Sequence, residues 1–248
     1  QLTGALAGRL APAREAVEAE PPLPSGEEGR RQLERVYRHF CANLASMCKD
    51  GLHAGGDVLL CTVATNIRDA SPNNPWHSEG IDTSAALDIG ENHAARAREL
   101  RRQRDWGEAA AAYERTLARS PTNPHLHFEL AQCYWRLGAV EQAQGHFIKA
   151  WEYDLYAFVR ASPRCNAIIR ETAEAMERVH LSDCAAALAD RAPDGIPGNE
   201  FFTDHCHMAF EGNYAVACTL FESLQPSLSG KLGPVSYTHL TLPTKRIV

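Results

Sequence analysis

The same helical pattern occurs twice between residues 92 and 154, and the two copies are offset by 34 residues. Two alanines and one aromatic residue recur at this offset, which pairs Ala97 with Ala131, Ala109 with Ala143, and Tyr113 with Phe147. Alanine lets two helices approach closely, and an aromatic side chain fills the gap that remains. The pattern therefore predicts two stacked helical hairpins that bury their apolar faces against each other.

The second copy resembles the tetratricopeptide repeat, whose signature positions are occupied by Leu130, Ala131, Tyr134, Gly138, Ala143, Phe147 and Ala150. Gly138 is predicted to form the turn between two helices, and Pro121 to close the first copy. That copy is weaker, because Arg96 stands where the repeat has leucine. Arrays usually hold three or more repeats, so we expect this pair to be stabilised by packing against the rest of the chain. The resemblance implies a peptide or protein partner at the repeats.

The segments on either side of the repeats combine helices with short apolar strands. Ser25 and Glu28 form a predicted capping box that opens a long helix. Residues 58–63 are a short, continuous, β-branched run, typical of a strand buried on both faces. After the repeats, Pro163 is predicted to begin a helix that leads to a short strand at 179–181. This order predicts a doubly wound α/β domain into which the repeats are inserted.

An aspartate and a histidine three residues apart precede the last predicted helix, whose apolar stripe covers residues 216–224. They are Asp204 and His207. A carboxylate can hold one imidazole nitrogen so that the other is free to take a proton, as in the base-orienting half of a hydrolase triad. The pair is therefore the candidate catalytic site, with His207 as the base and Asp204 as its orienter.

The position of this pair resembles the last conserved block of SGNH (GDSL-type) esterases and lipases. With residues 36–66, the repeat pair and residues 196–214, the chain looks like the repeat-containing SGNH hydrolase-like proteins over most of residues 30–225. The resemblance implies an α/β fold, an incomplete flavodoxin-like three-layer sandwich with an inserted all-α repeat pair. It also implies hydrolysis or transfer of an ester, on an ester-bearing small molecule or an acylated glycan or lipid, without a cofactor or metal.

The resemblance also implies a serine nucleophile and an oxyanion hole completed by a glycine and an asparagine. We expect these blocks upstream of Gln1, so the chain is expected to be truncated and inactive as a hydrolase by itself. Residues 235–248 resemble a translated sequencing adapter and are set aside. The predicted boundaries are a partial SGNH-like domain at 1–91, the repeat insertion at 92–157 and the return to the α/β domain at 158–234.

Other interpretations of these features stay open. The repeats could form a protein-binding scaffold beside a catalytically dead α/β body. Asp204 and His207 could be a loop carboxylate that caps a helix and a partly buried histidine. Zinc at His205, Cys206 and His207 is disfavoured, because adjacent residues rarely point at one metal.

A second group of polar residues follows the predicted strand. Thr65 and Asn66 lie where doubly wound sheets place ligands, although an asparagine there more often caps a loop. Arg68 and Asp69 can simply pair with each other. The charged run 96–104 in the first repeat is typical of a solvated helix face.

Composition narrows the classes of partner and compartment. The net charge is −6 and no long basic run occurs, which argues against nucleic acid. No apolar run approaches the roughly 20 residues of a membrane span. The chain has 8 cysteines without a Cys-x-x-Cys pair, which mildly favours a reducing compartment such as the cytoplasm.

Overall fold

The computed structural model describes residues 26–72, 94–154 and 160–228. Its elements in chain order are α1 (Gly26–His53), β1 (Val58–Cys61), α2 (94–102), α3 (Trp106–Leu117), α4 (Pro124–Arg136), α5 (Val140–Glu152), α6 (Pro163–Ala175), β2 (Val179–Ser182), α7 (Cys184–Arg191), a 3-10 turn (Pro193–Gly195) and α8 (Phe210–Leu228). The predicted capping residue Ser25 and the adapter-like end at 235–248 lie outside the described residues. The described chain is mainly helical. None of the described helices has both the length and the apolar composition needed to cross a bilayer.

The strands β1 and β2 pair in parallel, with Val58 opposite Val179 and Cys61 opposite Ser182. The predicted strand at 58–63 therefore ends two residues early. The strand pairing stops there because the Asn166 side chain hydrogen-bonds both the N–H and the carbonyl of Val63. The Val63 N–H donates to Asn166 Oδ1 at 2.8 Å, and the Val63 carbonyl accepts from Nδ2 at 2.9 Å.

Helices cover both faces of this strand pair. On one face, Cys48 and Leu52 of α1 and Ala173 of α6 pack against the β1 and β2 side chains that point toward them. On the other face, Ser182 lies 3.0 Å from Ser223 of α8. This arrangement is an α/β unit of parallel strands flanked by helices, and the complete three-layer sandwich stays a prediction.

The helices α2 to α5 form two antiparallel hairpins. The alanines at the repeated small positions are fully buried, at 0% exposure for Ala97, Ala109, Ala131 and Ala143. Tyr113 and Phe147 fill the gaps between the helices and are 1% and 0% exposed. Gly138 makes the turn between α4 and α5 with a φ of 76°, a backbone conformation that favours glycine. The packing agrees with the helical period read from the sequence.

One face of α4 is covered by loops of the α/β unit. Phe128 shares an apolar cluster with Ile196. The Trp135 indole N–H donates to Asp194 at 3.0 Å, and the guanidinium of Arg68 lies 4.9 Å from the centre of the same ring. The inner helix of the second repeat is thus packed against the chain's own loops after β1 and α7.

A buried ion pair connects the end of the repeats to the loop after β1. The Arg160 guanidinium binds Asp154 at 2.7 Å, and their side chains are 3% and 0% exposed. Arg160 also donates to the backbone oxygen of Asn66 at 3.0 Å and to that of Ala70 at 3.4 Å. A single guanidinium therefore holds two separate segments together.

Candidate functional site

The loop at residues 203–207 is closed on itself before α8 begins. Phe202 and Met208 form an antiparallel bridge at its base. Inside the bridge, the Thr203 N–H donates to the His207 carbonyl at 2.8 Å. Phe202 is 2% exposed and anchors the loop in the core. The loop therefore presents its side chains from a fixed frame.

Asp204 and His207, the two predicted site residues, face each other in this loop. His207 Nδ1 lies 2.6 Å from Asp204 Oδ2. The other carboxylate oxygen, Oδ1, accepts the backbone N–H of Cys206 at 2.9 Å and that of His207 at 2.8 Å. One carboxylate thus shapes the turn and orients the imidazole at the same time.

The charge of Asp204 follows from these contacts. The Cys206 and His207 amides, followed by the His207 side chain, lower the pKa of Asp204 to about 2. The carboxylate therefore stays ionised at neutral and mildly acidic pH. An ionised acceptor at Nδ1 selects the tautomer with its proton there, so Nε2 carries the lone pair that a general base needs.

The pair lies just beyond the carboxyl end of β1. The Asn66 N–H donates to the His205 carbonyl at 3.0 Å, and its side-chain amide donates to the Asp204 carbonyl at 3.1 Å. The Thr65 hydroxyl donates to His205 O at 2.8 Å. Thr65 and Asn66 are 3% and 1% exposed, and their hydrogen bonds position the loop from inside the protein. Asn66 Oδ1 also accepts the Asp69 N–H at 2.9 Å, the capping role that its residue type favours.

Arg68 pairs with Asp69, as its position suggested, and also with Glu200. Hydrogen bonds to both acids raise the pKa of Arg68 against the effect of its own burial. Gly198 gives the guanidinium its space, since a Cβ there would collide with Arg68 and Asp69. This cluster links the loop after β1 to the loop after the 3-10 turn.

Cys206 brings a third possible metal ligand to the pair. Its sulfur lies 4.0 Å from His207 Nδ1, and the Asp204, Cys206 and His207 ligand atoms lie within 4.8 Å of one another. His205 is turned away, with Nε2 2.9 Å from the Ser71 carbonyl. A metal held through Nδ1 together with the Asp204 and Cys206 atoms would break the Asp204–Nδ1 hydrogen bond, and all three residues come from one short loop, so the arrangement favours the hydrogen-bonded pair.

On the repeats, the described surface is most basic on α2. Arg96, Arg98 and Arg102 are exposed there. Arg102 pairs with Glu99 on the same helix, while Arg101 reaches across to Glu129 of α4. The run predicted as a solvated face is indeed open to solvent, and no described loop covers it as the chain covers α4.

The sequence predicted the pairing of Asp204 with His207 but gave no sign of the residues that hold their loop. Asn199 accepts from the Asn66 side chain at 2.9 Å, and Arg160 binds the Asn66 carbonyl. Asn199 and Arg160 are more than 90 residues from Asn66 in the chain, and no local pattern marks them. Only the folded arrangement shows that they act on the same loop.

Comparison with known proteins defines a class for one part of the chain, a helical repeat built from antiparallel hairpins. Residues 94–151 match the family model of the tetratricopeptide repeat. This segment is α2 to α5, the part with the 34-residue period. No curated protein and no solved structure matches the chain significantly, and no comparison supports an SGNH domain.

Proposed function

We propose that this chain is a protein-binding scaffold whose tetratricopeptide pair recognises a peptide or protein. The match over residues 94–151 carries the proposal, because such repeats generally mediate protein–protein interaction. The buried alanines and aromatics of α2 to α5 support it, since they make a rigid double hairpin with fixed surfaces. A rigid surface binds with little ordering cost.

Among the helices of the repeat pair, exposure favours α2 as the binding face. Loops of the α/β unit already cover the side of α4 that bears Phe128 and Trp135. Arg98 and Arg102 of α2 stay exposed. Exposed guanidinium groups favour a partner segment with carboxylates, since complementary charge raises the association rate and fixes the register.

An array of acidic and neutral peptides, probed with the purified chain, tests this proposal. The double variant Arg98→Glu/Arg102→Glu should no longer bind the acidic peptides that the wild type binds. The control Arg115→Glu/Arg119→Glu carries the same charge change at the exposed end of α3 and the turn after it, and should still bind them. The scaffold proposal fails if the wild type binds no peptide that the α2 variant loses.

A second function, ester hydrolysis or acyl transfer, is favoured by the 2.6 Å contact between Asp204 Oδ2 and His207 Nδ1. In this proposal the pair is the base half of an SGNH-type site, and the substrate is an ester-bearing small molecule or an acylated glycan or lipid. The His207 side chain is 79% exposed, so Nε2 is open to a hydroxyl. Within the described residues, no hydroxyl donates to that nitrogen.

Two measurements test the hydrolase proposal. The chain alone is expected to be inert, because loss of the nucleophile costs on the order of 10⁶ in turnover in a serine hydrolase. Turnover of p-nitrophenyl acetate that His207→Ala abolishes would contradict this expectation. If coding sequence precedes Gln1, the hydrolase proposal expects it to encode a Gly-Asp-Ser-like turn after an apolar strand, followed by a Gly-Asn block. Their absence would leave the scaffold as the remaining function.

A further inference from the structure

Two cysteines that neither proposed function uses lie together on one face of the strand pair. Cys61 ends β1, and Cys184 begins α7. The strand register places Cys61 opposite Ser182, whose hydroxyl lies 3.6 Å from the Cys184 sulfur. Opposite residues of neighbouring strands point to the same face, and Ser182 bonds Ser223 of α8 on that face. The fold therefore brings together two thiols that residues 62–183 separate in the chain.

The two thiols hydrogen-bond each other, and the residues beside them hold the contact in place. The Thr62 hydroxyl donates to Asp183 at 2.7 Å and accepts the Ala185 N–H at 2.9 Å. Thr62 follows Cys61, while Asp183 and Ala185 flank Cys184. These bonds therefore fix the end of β1 against the start of α7.

The pair differs in its surroundings from other cysteines of the chain, all 8 of which are free thiols. Cys165 accepts a hydrogen bond from the Ser162 hydroxyl at 3.4 Å, and Cys218 hydrogen-bonds Tyr214. A hydroxyl cannot be joined to a thiol by mild oxidation, whereas two thiols in contact can. The contact at the end of β1 thus has a chemistry that these other cysteine contacts lack.

We propose that Cys61 and Cys184 form a reversible disulfide when the chain meets a peroxide. The half-buried Cys61 loses its proton to solvent, and its sulfur attacks one oxygen of the peroxide, which leaves a sulfenic acid and hydroxide. The Cys184 thiol then attacks the sulfenic sulfur and expels water. Because the released proton neutralises the hydroxide, two thiols and one hydrogen peroxide give one disulfide and two waters.

The disulfide closes the chain across the whole repeat insertion, since α2 to α5 lie between the two cysteines. A cross-link stabilises mainly by constraining the unfolded chain, and the effect grows with loop length. Oxidation should therefore raise the Tm of the chain by about 5–15 °C. The bond lies within one copy of the chain, and it rests neither on peptide binding by the repeats nor on the Asp204–His207 pair.

Peptide mapping of the full chain tests the bond directly. Trypsin releases Cys61 in peptide 50–68 and Cys184 in peptide 179–191, each as the single cysteine of its peptide. The reduced chain is treated for several hours with a small molar excess of hydrogen peroxide, because burial raises the pKa of Cys61 and slows its reaction. Remaining thiols are alkylated before digestion without reductant and mass spectrometry. The two peptides should be joined, and dithiothreitol should separate them. A sample in which Cys61 is mainly alkylated, oxidised further or joined to another cysteine overturns the proposal.

Serine variants separate this bond from general oxidation. Cys184→Ser should abolish both the joined peptide and the rise in Tm, whereas Cys165→Ser, on α6, should keep both. Circular dichroism shows whether each variant folds, and the mapping of the wild type decides the question if Cys184→Ser does not. A bond that forms in the wild type without raising its Tm above that of the reduced chain would refute the closure across the repeats.

Discussion

The ion pair between Arg160 and Asp154 should be among the most sensitive positions for stability. Both side chains are almost fully buried, and the guanidinium also binds the Asn66 and Ala70 carbonyls. Burial lowers the pKa of Arg160, and Asp154 opposes this effect. Replacing Arg160 with methionine keeps most of the side-chain volume but leaves a carboxylate in the interior without this cation. Removing one partner of a buried pair typically costs about 3–5 kcal/mol.

Chemical and thermal unfolding of Arg160→Met measure this cost. A chain of this size loses about 2–4 °C in Tm for each kcal/mol, so the expected drop is about 6–20 °C. The surface pair of Arg164 and Glu171, with side chains 52% and 61% exposed, supplies the matched control. Arg164→Met should cost at most about 0.5 kcal/mol, because exposed pairs contribute little.

The double variant Arg160→Met/Asp154→Leu distinguishes the charge from the packing. Removing both charges should recover at least about half of the stability lost in Arg160→Met, since an apolar pair leaves no buried ion. The reasoning is refuted if Arg160→Met costs less than about 1 kcal/mol. It is also refuted if the double variant loses the sum of the two single effects.

Three further predictions concern the turns, the histidines and the candidate site. Gly145→Ala in α5 meets open space and should stabilise by about 0.5–1 kcal/mol, whereas Gly138→Ala, at φ 76°, should destabilise by about 1–2 kcal/mol in the same urea titration. Burial, followed by the charge of His127, lowers the pKa of His146 to about 4, so the unfolded chain binds more protons below its ordinary value of 6.5. Stability should therefore fall as the pH drops from 6.5 toward 4, and His146→Gln should flatten that fall; an unchanged slope would contradict it. Because the pKa of Asp204 is about 2, amide exchange at Cys206 and His207 should stay protected at pH 4, and Asp204→Ala should remove this protection at every pH. Equal exchange in both proteins would show that the carboxylate does not hold the turn.

The elements with a strong period were predictable from sequence, and those set by distant partners were not. The repeats follow from alanines and aromatics at fixed spacing, because close helix packing admits few other residues at those positions. The helix at Pro163 was visible as well, since proline suits the first turn of a helix. The last helix begins at Phe210, earlier than its stripe at 216–224 indicated, because the exposed residues of its first turn carry no apolar period.

The candidate site shows the same division. Asp204 and His207 meet because they are three positions apart in one loop, which is local information. The fixing of their loop by Asn66, Asn199 and Arg160 depends on contacts between segments far apart in the chain. No spacing rule encodes such contacts. The part of a site that a single sequence reveals is thus the reactive pair, while its support comes only from the fold.

The loops that lie over α4 act on it as a tethered ligand. A segment joined to its receptor by a short connection is present at an effective concentration on the order of millimolar. Any free peptide aimed at Trp135 must outcompete Arg68 and Asp194 at that concentration, so weak binders are excluded from this side of the hairpins. We therefore expect the two parts of the chain to unfold together, since neither can open here without exposing the other.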